Sequence, residues 1–214
     1  VPLYGELLAV TGGKERIRFY LDRFNQQFQR PADLEGFIAE LHRSKTAHYT
    51  RMLAEGLIPL RSGVKRLLQE ALDAGIRLAI ATTTTPANVS ALLEHSLAAD
   101  AERWFEVIAA GDIVPAKKPA PDIYTWAMQQ LALTPEHCVA LEDSANGVIA
   151  ARDAGIRSIL VTTNDYTADH DFNGAGLVLD QLGEPDAPFQ VISGEVGDKR
   201  YVDLALIRAF HAGS

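Results

Sequence analysis

Cysteine is nearly absent from this chain: Cys138 is the only one in 214 residues. An internal disulfide is therefore excluded, and a reducing compartment is expected, which points to a cytoplasmic location. Cys138 opens the apolar run Cys138–Leu141 and reads as a small core residue, not a reactive thiol. No apolar run approaches the roughly 20 residues of a membrane span, and no signal peptide is visible, so no membrane partner is expected. Positive charge is in deficit, with 20 Lys and Arg against 28 Asp and Glu and a formal net charge of -8. A chain of this sign has no electrostatic reason to bind nucleic acid, and an anionic substrate would need a local basic cluster. Internal repeats and low-complexity segments are also missing. So is an initiator Met: the start Val1-Pro2-Leu3-Tyr4 reads as a fragment of a longer chain.

What is present is ordinary for a soluble enzyme, 47% hydrophobic and 22% charged. The length suits one sizeable domain, or a core with a smaller domain attached. Up to about Gly56 the pattern is helical, with Ile17, Tyr20, Leu21 and Phe24, then Phe37, Ile38 and Leu41, at helical spacing. Pro31 divides these helices, and Gly56 ends the last. Beyond Leu60 the grammar alternates. Ser62 is expected to cap a helix that runs through Leu72 and stops at Gly75. Apolar strands are expected at 76–81, 105–109, 138–141, 158–162 and 177–179, with helices at 86–97, 121–131 and 146–154 between them. Uninterrupted apolar strands separated by helices argue an α/β fold, a parallel sheet covered on both faces. The expected division is a small helical bundle at 1–59 and an α/β core at 60–214. A monomer is the default expectation.

Ligands of such sheets sit beyond the carboxyl ends of the strands. Three groups fall there. Thr82 ends the strand Leu78–Thr82, so its hydroxyl can donate to a phosphate oxygen. Thr83 can add its backbone N–H, and the run continues through Thr84 and Thr85 into a proline-started helix whose amino end favours anions. Simple helix capping by threonine is the competing account. Lys118 is directed by the following Pro119, which biases the residue before it toward extended backbone. An ammonium about 4 Å from a unit negative charge contributes roughly 4 kcal/mol at an effective dielectric near 20. Lys117 reads as a solvated neighbour. Glu142 and Asp143 are adjacent carboxylates at a strand tip; they repel unless a cation or proton intervenes, and a hard-oxygen pair suits Mg²⁺ better than zinc. Helix capping by Asp143 and Ser144 is the plainer alternative.

Ala79-Ile80-Ala81-Thr82, Lys118-Pro119-Ala120-Pro121-Asp122 and Leu141-Glu142-Asp143-Ser144-Ala145-Asn146-Gly147 resemble three of the four signature motifs of the haloacid dehalogenase (HAD) superfamily, in order. Thr11–Ile17 and Leu41–Thr46 are similar to the helical cap of its CbbY-type sugar-phosphate phosphatases, a branch near phosphoglycolate phosphatases and β-phosphoglucomutase. The resemblance implies a Rossmannoid sheet with a helical cap and a Mg²⁺-dependent phosphatase acting through an aspartyl-phosphate. Its expected substrate is a small phosphorylated sugar, xylulose 1,5-bisphosphate among the candidates. It implies that Thr82 and Lys118 are catalytic, and that Thr82, Thr83, Thr84 and Lys118 hold the transferring phosphate. Asp143, helped by Glu142, would bind the metal. Gly13, Lys14, Arg16 and Lys45 match the cap segment that grips a distal phosphate, where a second cationic site is needed; ordinary surface charge on helices is the competing account of the three cations. His42 and His48 are placed to contact sugar hydroxyls, but positions on solvated helix faces are the favoured reading of both. The family nucleophile, the first Asp of Asp-x-Asp-Gly-Thr, does not occur in these residues. Truncation is the expected reason, with the natural protein carrying the motif. A phosphosugar mutase and a non-catalytic phosphosugar-binding protein remain the alternatives.

Overall fold

Three helices come first in the computed structural model, which describes residues 2–214. They are α1 (Pro2–Leu7), α2 (Gly13–Arg23) and α3 (Leu34–Ala54). The Asp33 side chain accepts the Gly36 N–H at 2.8 Å, which satisfies one of the free donors that open α3. Ile38 and Leu53 of α3 are almost fully buried.

The alternating part follows as α4 (Val64–Asp73), β1 (Ala79–Thr82), α5 (Pro86–Ser96), β2 (Val107–Ala110), α6 (Asp122–Leu131), β3 (Val139–Glu142), α7 (Ala145–Asp153), β4 (Ser158–Thr162), β5 (Leu177–Leu179), β6 (Val191–Ser193) and α8 (Leu204–Ala212). β1 pairs in parallel with β2, and β3, β4 and β5 pair in parallel in that order. β6 closes the edge antiparallel to β5. The order is therefore β1-β2 in one ladder and β3-β4-β5-β6 in the other.

β4 and β5 lie at the centre and are buried on both faces. Side chains alternate along a strand, so Ile159 and Val161 pack under α6 and α7, whereas Leu160 faces the other way with Leu67 of α4 and Leu206 of α8. Arg61 ties the carboxyl ends of β4 and β5 together by donating to the Thr162 carbonyl and hydroxyl, at 3.1 and 2.8 Å, and to the Asp180 carbonyl at 2.8 Å.

Several local expectations shift. Gly63, not Ser62, is the N-cap of α4, with left-handed backbone at φ 81. α4 has no side-chain cap hydrogen bond; the Glu184 carboxylate, distant in sequence, instead accepts the N–H of Gly63 itself at 3.0 Å. The first strand starts three residues later than the apolar run, and Ala79 at its start is exposed. Gly75 has φ 69 and turns the chain after α4, while Arg77 is drawn into an ion pair with Glu106. β6 and α8 lie beyond the last element legible in the sequence. β6 is three residues long with exposed side chains and therefore carries no burial pattern.

Candidate active site

Thr82 and Glu142 end parallel strands, Thr83, Thr84 and Asp143 follow those ends directly, and Lys118 stands in the loop beyond β2. Thr82 is the last residue of β1, and its Oγ1 accepts the Thr84 N–H at 3.2 Å, curling the threonine run at the start of α5. Pro86 sits in the first turn of that helix, where a missing N–H costs nothing. Two polar atoms nearby, Thr85 Oγ1 and Asn88 Oδ1, are buried without a hydrogen-bond partner among the described residues. An unpaired buried polar atom is costly unless a ligand or water meets it.

Lys118 follows the loop after β2, and its peptide bond to Pro119 is cis. Its ammonium donates to the Ala81 carbonyl at 3.0 Å and to Glu142 Oε1 at 2.5 Å. One side chain thus joins the tip of β1 to the tip of β3. The pair is sheltered, with side-chain exposures of 11% and 6%. Tyr124 of α6 donates its hydroxyl to the same Glu142 oxygen, and its ring lies 4.8 Å from the Lys118 ammonium. Burial first, then the Glu142 charge, pushes the Tyr124 phenol well above its ordinary pKa, so it stays a donor. Gly147 of α7 is part of this cluster, because a Cβ there would collide with the Glu142 carboxylate.

Glu142 and Asp143 therefore do not share one environment. Glu142 is taken up by Lys118 and Tyr124. Asp143, exposed at the strand tip, has its carboxyl pushed above its ordinary pKa by the desolvation of its surroundings and then by Glu142. A carboxylate in that position is one that a cation would relieve. Among the described residues no three His, Cys, Asp or Glu side chains gather as a metal cluster. One protein carboxylate still fits Mg²⁺, which commonly takes one or two together with waters and substrate phosphate.

The remaining expected residues meet elsewhere. A cavity of about 340 Å³ is lined by Gly13, Lys14, Arg16 and Lys45 from the helical segment and by Thr82, Thr83 and Thr84 from the core. Lys118, Glu142 and Asp143 are not in its wall. Arg16 is partly committed, donating to the Val10 carbonyl at 3.2 Å and to the Tyr4 hydroxyl at 3.2 Å. Lys14 and Lys45 have no hydrogen-bond or ion-pair partner among the described residues.

Two sequence readings are corrected here. His42 is not a residue of a solvated face. It lines the cavity and packs so closely on Gly13 that a Cβ there would lie 2.5 Å from its ring. Burial, then Lys45 and Lys14, hold the His42 pKa below its ordinary value, so at neutral pH it is an uncharged imidazole. Lys117 is not a solvated neighbour either. Its ammonium, on a side chain 23% exposed, pairs with Glu15 at 2.7 Å and Asp112 at 3.0 Å. Asp112, Asn88 and Tyr124 had no motif to mark them, and Glu15 lay in the cap-like segment Thr11–Ile17 without a role; only the packing of distant elements brings them here.

Residues 7–155 match the family model of the haloacid dehalogenase-like hydrolases. The chain belongs to that family. Protein CbbY (plasmid) of Cupriavidus necator is 44% identical over 214 residues, covering 100% of this chain and 83% of the relative. A phosphorylated carbohydrates phosphatase of Thermotoga maritima is 33% identical over 147 residues, 69% of this chain and 62% of the relative. Among solved structures, a variant of CbbY from Rhodobacter sphaeroides in complex with xylulose-(1,5)bisphosphate superposes with a TM-score of 0.75 at 47% identity, over 86% of this chain and 80% of that one. The HAD-type α/β fold is shared, and this member is a phosphoric monoester hydrolase.

Proposed function

We propose that this hydrolase acts on a small sugar bisphosphate of the xylulose 1,5-bisphosphate kind, with residues 1–59 as a cap over a core at 60–214. The observation that carries it is the shared cavity: the cations Lys14, Arg16 and Lys45 stand on one wall and the threonine run on the other. Two anionic ends of one ligand have a receiver each. The CbbY variant solved with xylulose-(1,5)bisphosphate supports this choice of substrate.

In this reading Thr82 Oγ1 and the Thr83 and Thr84 backbone face the transferring phosphate at the amino end of α5. Lys118 supplies positive charge beside it, oriented by Ala81, Glu142 and Tyr124 rather than free to swing. Such preorganised charge is the main catalytic resource in phosphoryl transfer, where positioning and neutralisation dominate. Asp143 would hold Mg²⁺, which supplies further charge neutralisation when bound, while Glu142 acts on Lys118 instead of on the metal. Hydrolysis through an aspartyl-phosphate belongs to the same proposal.

The test is a product assay on the complete protein with xylulose 1,5-bisphosphate and Mg²⁺. Release of inorganic phosphate is expected; an isomerised sugar phosphate in its place would make the chain a mutase, and no turnover with retained binding would make it a binding protein. Asp143→Asn should raise the Mg²⁺ requirement steeply with the fold intact. A Mg²⁺ titration superimposable on the wild type would remove Asp143 from the metal.

A further inference from the structure

We propose that Lys117 is a positioning residue that clasps the cap to the core, acting through Glu15 of α2 on one side and Asp112 of the core on the other. The proposal rests on residues 1–59 being a substrate-covering cap. Glu15 lies in the first turn of α2, whereas Asp112 follows β2 and Lys117 comes five residues later, so the ammonium spans the two parts of the molecule.

Three observations support the clasp. Lys117 divides its donors between two carboxylates, at 2.7 and 3.0 Å, and burial does not strip its charge. Burial opposes the ammonium, but the hydrogen bonds to Glu15 and Asp112 outweigh it and hold its pKa above the ordinary value. The loop before α2 is shaped to admit the pair. At Gly12, φ is 100, and a Cβ would strike the Glu15 carboxylate and come within 3.2 Å of the Lys117 ammonium. A second tether holds the same loop. Asn146, in the first turn of α7, donates to Thr11 Oγ1 at 2.9 Å and to the Ala9 carbonyl at 3.4 Å. The segment carrying Lys14 and Arg16 is therefore fixed to the core at two points, one after β2 and one just after Asp143.

The clasp and a direct role for Lys117 on substrate make opposite demands on Glu15. If Lys117 positions the cap, removing either partner has the same consequence, and removing both adds nothing. If Lys117 binds substrate phosphate and Glu15 only holds it back, removing Glu15 frees the lysine and tightens binding.

The experiment compares Lys117→Met, Glu15→Gln, the double variant and Lys117→Arg in the complete protein. Two readouts are used: KM and kcat for xylulose 1,5-bisphosphate, and amide hydrogen exchange over residues 11–16 without ligand. The expected result is a rise in KM of about fivefold in both single variants, the size of a partly exposed charge pair. The double variant should be no worse, kcat should be little changed, and Lys117→Arg should restore KM. Exchange over 11–16 should quicken about as much, with the β4 amides unaffected. A lower KM in Glu15→Gln, additive losses in the double variant, or unchanged exchange would each overturn the clasp. A wild-type protein indifferent to the bisphosphate, but with quickened exchange in Lys117→Met, would sink the substrate proposal and leave the clasp standing.

Discussion

At the residue scale the decisive cluster is Lys118, Glu142 and Tyr124. Removing one member of a sheltered ion pair strands the other, at a cost of about 3 kcal/mol. Lys118→Ala should therefore lower stability in urea unfolding as well as abolish turnover. The double variant Lys118→Met with Glu142→Gln should recover most of the stability and none of the activity, which separates the ion pair's structural role from the proposed catalytic one. Tyr124 adds a pH effect with a definite sign. Its folded pKa is raised by burial and by Glu142, so its contribution is complete below about pH 10, where an unfolded tyrosine begins to ionise, and is lost as pH rises further. Melting temperature should fall above pH 10, and Tyr124→Phe should flatten that fall. The phenylalanine variant should also be about 1–2 kcal/mol less stable at neutral pH, for want of the buried hydrogen bond. A melting temperature equally pH-sensitive in both proteins would move the titration elsewhere.

At the element scale the junction of β3 with α7 shows how a turn sequence is set by its neighbours. Ser144 caps α7, with its Oγ accepting the Gly147 N–H at 3.3 Å, and Gly147 leaves the space that the Glu142 carboxylate fills. That carboxylate is pinned by Lys118 and Tyr124 and cannot swing clear of an added methyl. Gly147→Ala should cost about 1–3 kcal/mol through overpacking and should disturb the Lys118 bond as well. Denaturation midpoint and kcat/KM should fall together; an unaltered midpoint would mean that the carboxylate has room to move. The core elements were largely legible in advance, because a parallel strand buried on both faces is an unbroken apolar run. The strand at Ser158–Thr162 shows this best, with Ile159 and Val161 in one core cluster and Leu160 in the other, whereas Val139–Glu142 is buried on one face only and Leu141 is exposed. Element ends were less legible. The start of α4 is tied at Gly63 to Glu184, more than a hundred residues away, and no local signal announces such a partner.

At the scale of the whole molecule, the proposed recognition rests on the helical segment and the core lining one cavity. Lys45 is the cleaner probe of the proposed distal phosphate site, because Arg16 also holds Val10 and Tyr4 and its loss would loosen α1. Lys45→Ala should lower kcat/KM for a sugar bisphosphate by roughly tenfold to a hundredfold, the worth of one charge-assisted contact. p-Nitrophenyl phosphate, which has no second phosphate, should be turned over nearly as before. Equal losses on both substrates would assign Lys45 to cap placement. The sequence by itself determined the α/β class, the three motifs and the residue types at the strand tips, because burial on both faces and phosphate chemistry leave strong local patterns. Only the tertiary structure decided that Glu142 serves Lys118, that His42 and Lys117 belong to the cavity, and that Glu15 and Asp112 share one ammonium. Those are contacts between residues tens of positions apart, set by how helices and strands pack, and no spacing along the chain encodes a distance through space.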